Sequence, residues 1–163
     1  MELSKLQDRG GLYYKVNSEE PYSGLSFELY KNGQKESEGK YKNGKRDGLQ
    51  TLWYENGQKK LEQTVKDGKL DRLRTEWYEN GQIRKKETYK DGKEDGVSTI
   101  WYENGQKSFE GTWKDGKRVG LFIWWYENGR KRSEETHKNG ELDRLRTEWY
   151  ENGQKTYEGT FKD

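Results

Sequence analysis

His137 is the only histidine in the chain, and so the first candidate for proton transfer or metal ligation. Either role needs company. A metal site takes three or four ligands at set spacing, and a general base takes a group that orients it. No such set recurs around His137. It falls instead in a column, 41, 65, 89, 113, 137 and 161, that reads Tyr, Val, Tyr, Trp, His, Phe, so a packing role is expected. The carboxylates Glu55, Glu79, Glu103, Glu127 and Glu151 occur once per copy of a repeated Tyr-Glu-Asn-Gly run. A catalytic carboxylate is normally singular, so these predict no active site. The glycines follow turn positions and form no phosphate-cradling loop. There is no cysteine, which removes disulfides and thiolate ligands. The expectation is a protein that is not an enzyme and uses no cofactor or metal.

Binding chemistry has better candidates. A lysine column runs through Lys42, Lys66, Lys90, Lys114, Lys138 and Lys162. On paired strands about 4.8 Å apart, successive lysines stand roughly 10 Å from each other, about one Debye length at physiological salt. Such a row suits an anionic surface, although the glutamates Glu38, Glu62, Glu110, Glu134 and Glu158 are expected to cancel much of its field. A second candidate is the run Gly120-Leu121-Phe122-Ile123-Trp124-Trp125-Tyr126, apolar where other copies are often polar. There Ile100, Phe109 and Phe122 are expected to line up across three strands with Trp124 alongside. This cluster is either closed over by another part of the chain or an exposed patch that marks an interface. A third candidate is the arginine set Arg72, Arg74, Arg144 and Arg146, in two copies of Leu-Asp-Arg-Leu-Arg-Thr-Glu-Trp-Tyr.

All of these residues are placed by a repeat of 24 positions. Asn-Gly pairs end at Gly33, Gly57, Gly81, Gly105, Gly129 and Gly153, and a second Asn-Gly or Asp-Gly series ends at Gly44, Gly68, Gly92, Gly116 and Gly140. Both residue types tolerate positive φ, as hairpin turns require. Turns thus alternate 11 and 13 residues apart, leaving room for short strands. Between them Tyr recurs at 30, 54, 78, 102, 126 and 150, and Trp at 53, 77, 101, 125 and 149, with Leu29 in the first copy. An aliphatic residue holds 25, 49, 73, 97, 121 and 145. Aromatic and aliphatic residues in alternation mark pleated strands, and turns this frequent exclude helix.

The predicted fold is therefore all-β: tandem 24-residue β-hairpin repeats forming a single extended, twisted antiparallel meander. Residues 24–163 form six repeats and residues 1–23 an N-terminal cap. If Asn56-Gly57 is a two-residue turn, Leu52 faces Leu61, and by the same rule Ile100 faces Phe109 and Trp124 faces Ser133. The Asp-Gly turns are either two residues or three with a bulge.

The unit Gly-x-x-x-x-Trp-Tyr-Glu-Asn-Gly-Gln-Lys, followed by Lys-Asp-Gly-Lys, resembles the bacterial variant of the MORN repeat. More narrowly it is similar to the YwqK-type antitoxin family, whose usual opening the stretch from Arg9 to Gly24 also resembles. The likeness runs over roughly residues 8–163, with Arg72 and Arg144 departing from the glycine at 48, 96 and 120. It implies a non-catalytic module that binds a protein partner, a toxin in the antitoxin case. Eukaryotic MORN proteins add the alternative of a membrane-associated or scaffolding element on anionic lipid.

Composition fits a thin fold. Only 27% of the 163 residues are hydrophobic and 38% are charged, but 14% are aromatic, which disordered chains rarely match. The net charge of +2 comes from interspersed signs, so no nucleic acid partner is expected. No apolar run reaches signal-peptide or membrane-span length, so a cytoplasmic location is expected, although a removed leader would leave no trace.

Overall fold

A computed structural model describes residues 1–161. It consists of short antiparallel strands, with one 3-10 turn at Leu3–Lys5 as the only helical element among the described residues. The chain divides into two compact units, residues 1–81 and residues from 82 onward. In the first unit a hairpin of β1 (Leu6–Arg9) and β2 (Leu12–Lys15) precedes β3 (Gly24–Leu29), β4 (Lys35–Lys42), β5 (Lys45–Trp53), β6 (Lys59–Lys66) and β7 (Lys69–Trp77), which pair in that order. In the second, β8 (Ile83–Lys90) pairs with the two-residue β9 (Lys93–Glu94) and with β10 (Gly96–Trp101). From β10 the order continues through β11 (Lys107–Lys114), β12 (Lys117–Trp125), β13 (Lys131–Lys138), β14 (Glu141–Trp149) and β15 (Lys155–Phe161). Every connection in this series is local. The all-β meander of tandem hairpins is as expected.

The second series of turns takes the two-residue form of its two alternatives, while the Asn-Gly turns depart from the two-residue form assumed for them. At the second series both residues lie at positive φ, for example Asp67 at 49° and Gly68 at 82°, which makes these two-residue type I′ turns. At the Asn-Gly series only the glycine is left-handed, at 85° for Gly57. There the Gly57 amide donates to the Tyr54 carbonyl at 2.9 Å and the Tyr54 amide to the Gln58 carbonyl at 2.8 Å. That is a three-residue loop closed by a glycine bulge. Asn56 supports it by accepting the Gln58 amide on Oδ1 at 2.9 Å. The expected register nevertheless holds, with Leu52 opposite Leu61, Ile100 opposite Phe109 and Trp124 opposite Ser133. The reason is a further register shift: Trp53 pairs with Lys59 and Leu52 with Leu61, so Lys60 is an extra residue that restores the count.

A second irregularity follows each type I′ turn. Tyr41 pairs with Arg46 but Gly39 with Gln50, so three residues, 47 to 49, oppose one. The middle position is left-handed, at Gly48 (113°), Gly96 (131°) and Gly120 (77°), but also at Arg72 (71°) and Arg144 (72°). An L-residue in this region stores roughly 1–2 kcal/mol of strain.

Repeats are tied to one another at both ends of their strands. The Tyr54 hydroxyl donates to the Trp77 carbonyl at 2.8 Å, and Tyr30, Tyr102 and Tyr126 make the same bond to Trp53, Trp125 and Trp149. At the opposite end the amide of Gly68 donates to the Arg46 carbonyl at 2.9 Å, and those of Gly116 and Gly140 to the carbonyls of Glu94 and Arg118. The turn amides, which would otherwise point at solvent, are thereby satisfied by the preceding repeat.

Directly paired residues share a face, and neighbours along a strand alternate. One face carries Leu49, Thr51 and Trp53 with Thr64 and Glu62 opposite them, and returns nearly unchanged in each copy. The other carries Gln50 and Leu52 with Gln63 and Leu61, and changes from copy to copy. The buried residues Tyr41, Val65, Phe109, Phe122, Glu87 and His137 belong to this variable face, whereas Thr51, Thr75, Thr99 and Thr147 are buried on the constant one.

At the N-terminus, Tyr13 and Tyr22 pack on Tyr41 with ring centroids 5.1 and 6.0 Å away. The Tyr13 amide donates to the Gly44 carbonyl and the Gly44 amide to the Tyr22 carbonyl, at 2.9 and 2.8 Å.

Candidate binding site

The variable face of the second unit is where size and chemistry depart furthest from the repeat. Its centre is Phe122, fully buried, whose ring sits over Gly111 so closely that a Cβ there would collide with it. Around it stand Phe109, Trp113, Trp124 and His137, with ring centroids 6.0, 4.9, 6.2 and 5.0 Å from that of Phe122. Phe109 and Trp124 are also in contact, at 5.2 Å. The Arg118 guanidinium lies 5.2 Å from the Phe122 ring centre, a cation–π contact.

The expected alignment needs correction. It is Trp124, not Phe122, that lies opposite Phe109, so the row across three strands is Ile100, Phe109 and Trp124. Phe122 lies opposite Glu135 on β13. The shift between Glu110 and Thr112, invisible in the sequence, moves the frame. The cluster also divides. Phe122 and Phe109 are buried, whereas Ile100 and Trp124 are half-buried at its edge.

That edge opens into two grooves. One, of about 460 Å³, has Ile100, Phe109, Trp113 and Trp124 among its walls and Glu87, Glu94 and Ser98 among its polar lining. The other, of about 570 Å³, is lined by residues including Tyr126, Ser133, Glu135, Arg146 and Glu148. Trp124 and Arg132 line both.

The polar lining is extensively paired. Glu87, 2% exposed, accepts an ion pair from Lys85 at 2.6 Å and a hydrogen bond from the Tyr89 hydroxyl at 3.2 Å. Glu94 is hydrogen-bonded to Glu87, and burial, then the charge of Glu87, push its pKa up, against the pull of Lys85 and Arg118. Glu135 gathers His137 Nε2 at 2.8 Å, Arg118 at 3.3 Å and Arg146 at 3.9 Å. His137 therefore packs edge-on against Phe122, its Nδ1 without a hydrogen bond among the described residues.

The arginine candidates fall in different places. Arg72 and Arg144 hold the left-handed bulge position and are strongly exposed, 83% and 81% at the side chain. Arg74 pairs with Glu76, and Arg146 with Glu148, both at 2.5 Å. Arg146 alone of the four lines a groove with the aromatic cluster.

The turn lysines Lys42, Lys66, Lys90, Lys114 and Lys138 are exposed, while Lys162 lies outside the described residues. The glutamate row does not pair with them. Glu38, Glu62, Glu110 and Glu134 instead take Lys35, Lys59, Lys107 and Lys131 at 2.5–2.6 Å, and Glu158 takes Lys155. Sequence reasoning also missed that the aliphatic column is exposed. Leu25, Leu49, Leu73, Val97, Leu121 and Leu145 each show 40–58% of their surface. Their regular period resembled core, and only the register reveals that they lie on the constant face.

Strand order, repeat-to-repeat bonds and an aromatic groove define a tandem hairpin-repeat module of the binding type. Residues 46–67, 73–91, 94–115, 118–139 and 145–163 match the MORN repeat variant family, and the chain belongs to it. Repeats of this kind generally mediate protein or membrane-lipid interactions. No match was found among curated proteins.

Proposed function

We propose that this chain is a protein-binding module whose contact surface is the paired groove around Trp124, and that it acts as an antitoxin or immunity protein that covers a toxin. The observation that carries the reading is the half-buried row of Ile100 and Trp124 beside a buried aromatic core. Large aromatic side chains held firmly at a groove edge are what interface hot spots are made of. The toxin partner rests on the resemblance of the Trp-Tyr-Glu-Asn-Gly-Gln-Lys unit to the antitoxin family. In this reading six repeats span 24–163, residues 1–23 cap the first, and the protein works in the cytoplasm.

The test pairs two substitutions and one partner, the product of the reading frame next to this gene. Trp124→Ala is expected to weaken binding in calorimetry by about 2 kcal/mol or more while the thermal midpoint moves little. Phe122→Ala serves as the unfolding control. Loss of stability in Trp124→Ala equal to that in Phe122→Ala sinks the interface. A neighbouring product that is harmless to cells lacking this protein sinks the antitoxin role.

A second reading uses the constant face. In four of the repeats the exposed aliphatic residue lies on the same face as the turn lysine, Leu25 with Lys42, Leu49 with Lys66, Val97 with Lys114 and Leu121 with Lys138, because each lysine is two residues beyond the aliphatic's partner. Apolar side chains bordered by cations suit an anionic lipid surface. Co-sedimentation with phosphatidylserine vesicles but not phosphatidylcholine vesicles, lost in Leu121→Ser, supports it, and indifference to lipid charge removes it.

A further inference from the structure

The one unpaired guanidinium among the described residues that line the paired groove identifies what kind of segment the groove takes. Each acidic side chain that lines it already has a partner in the fold: Glu87 an ion pair with Lys85, Glu94 a hydrogen bond with Glu87, Glu135 contacts with His137, Arg118 and Arg146, and Glu148 an ion pair with Arg146. These pairs also account for the cations Lys85, Arg118 and Arg146. Arg132 is different. It is exposed, lines both grooves beside Trp124, and makes no ion pair or hydrogen bond among the described residues. Its placement follows from the register shift between Trp124 and Trp125, where Trp125 pairs with Lys131 and Trp124 with Ser133. Arg132 is the extra residue of that bulge, and a bulge re-aims a side chain. Lys131 is taken up by Glu134 at 2.6 Å and by the Trp149 ring, 5.9 Å away, whereas Arg132 joins the groove lining with no such partner.

We infer that the paired groove binds an extended acidic and apolar peptide segment of the partner, with a carboxylate on Arg132 and a neighbouring apolar side chain against Trp124 and Ile100. This rests on the groove reading proposed above. A guanidinium presents a planar fork of donors that a carboxylate meets with two hydrogen bonds, and Arg132 has that fork unused. A basic segment would leave that fork unused and bring a like charge beside Arg132. The apolar wall beside it needs a side chain to bury. Two adjoining grooves of about 460 and 570 Å³ that share Trp124 and Arg132 give room for successive residues of an extended chain. A phosphate polymer fits less well, because it is held by several cations and here one is uncommitted.

An array of ten-residue synthetic peptides that varies the number and spacing of Asp or Glu and of Leu, Phe or Trp, read with the intact protein, tests the inference. The best binder is then measured by fluorescence polarisation beside its amide counterpart and a ten-nucleotide single-stranded DNA. At least a tenfold preference for the carboxylate peptide is expected, falling below threefold in Arg132→Gln and turning toward a lysine-bearing counterpart in Arg132→Glu. Circular dichroism and thermal midpoints of both variants should match the parent, since the exposed guanidinium supports no contact in the fold. A preference that survives Arg132→Gln, tighter binding of the DNA, or an array without a binder overturns the inference. Peptide binding lost in Trp124→Ala but indifferent to Arg132 overturns the charge selection and leaves the groove standing.

Discussion

On one face of the sheet the same residues return every 24 positions, while on the other almost none do. The constant face closes over itself with short polar side chains: Thr51 and Thr75 are buried, the Lys59–Glu62 pair stands nearby, and Lys59 also lies 5.6 Å from the Trp77 ring centre. The variable face fits by size matching between adjacent strands. Gly39 lies opposite Gln50 and Gln63 opposite Arg74, while the Phe122 ring occupies the space left above Gly111. Each variable residue is thus chosen for its neighbour on the next strand and not for its repeat. The constant face specifies that the chain is a hairpin array, and the variable face specifies what each part of the array can hold.

The sharpest way to break this contrast is Phe122→Ala, expected to destabilise the second unit by about 3–5 kcal/mol in chemical denaturation. A small change would mean that the variable face does not carry the core. Gly111→Ala should destabilise by about 1–3 kcal/mol through overpacking, although its backbone is not left-handed. Combined with Phe122→Ala it should cost less than the sum of the two, since the collision is then removed. On repeat-to-repeat bonding, Tyr54→Phe deletes the hydroxyl that reaches the Trp77 carbonyl, for a loss of about 0.5–1.5 kcal/mol.

Smaller effects test strands β7 and β14, which differ only in their first residue, Lys69 against Glu141. Arg72→Gly and Arg144→Gly relieve the same left-handed strain, partly offset by glycine's larger unfolded-state entropy, so each should gain about 0.5–1 kcal/mol. Unequal gains would show that the residues flanking each bulge, Gln63 opposite Arg74 in one and Glu135 opposite Arg146 in the other, reach the backbone as well as the side chains.

The smallest predicted effect is a pH dependence. Glu94 has its pKa raised in the fold, so its protonated form is favoured there. Its contribution to stability is present at low pH and is lost as the pH rises through the raised value. Glu94→Gln, which keeps a donor toward Glu87, should flatten the decline in denaturation midpoint as the pH rises above the ordinary glutamate range. A parent profile with no decline to flatten would mean that the two carboxyls do not share a proton.

The repeat and its turns were legible because glycine and asparagine at fixed positions report backbone geometry directly. The register of Leu52 with Leu61 was legible too, but through the wrong turn: a three-residue loop plus the extra Lys60 gives the same count as a two-residue turn. Bulges limited everything beyond that. The shift after Glu110 put Trp124 rather than Phe122 opposite Phe109, and the bulge at Arg132 gave the groove a cation that the alternation rule does not place there. Nor could hydrophobicity alone separate the exposed Leu49 column from core, since both are apolar and periodic. Among the candidate site residues, the sequence brought out Ile100, Phe109, Phe122 and Trp124 as a departure from pattern. It did not show Glu87 and Glu94 converging beside them.

The bonds that run from one repeat to the next have a consequence for how such a gene can change. A tyrosine hydroxyl meets a tryptophan carbonyl 23 residues on, and a turn amide meets a carbonyl 22 residues back, with the same partners at each junction where they occur. An in-frame gain or loss of one whole period therefore presents every new junction with bonding groups it already uses. Recombination between copies is restrained on the variable face alone, where a transplanted strand must meet a neighbour of fitting size. The run Leu-Asp-Arg-Leu-Arg-Thr-Glu-Trp-Tyr, present at 70–78 and again at 142–150, shows one segment accepted in both settings. Arrays of this kind can thus lengthen by copying and diversify by exchange, with selection acting strand by strand on what the groove will receive.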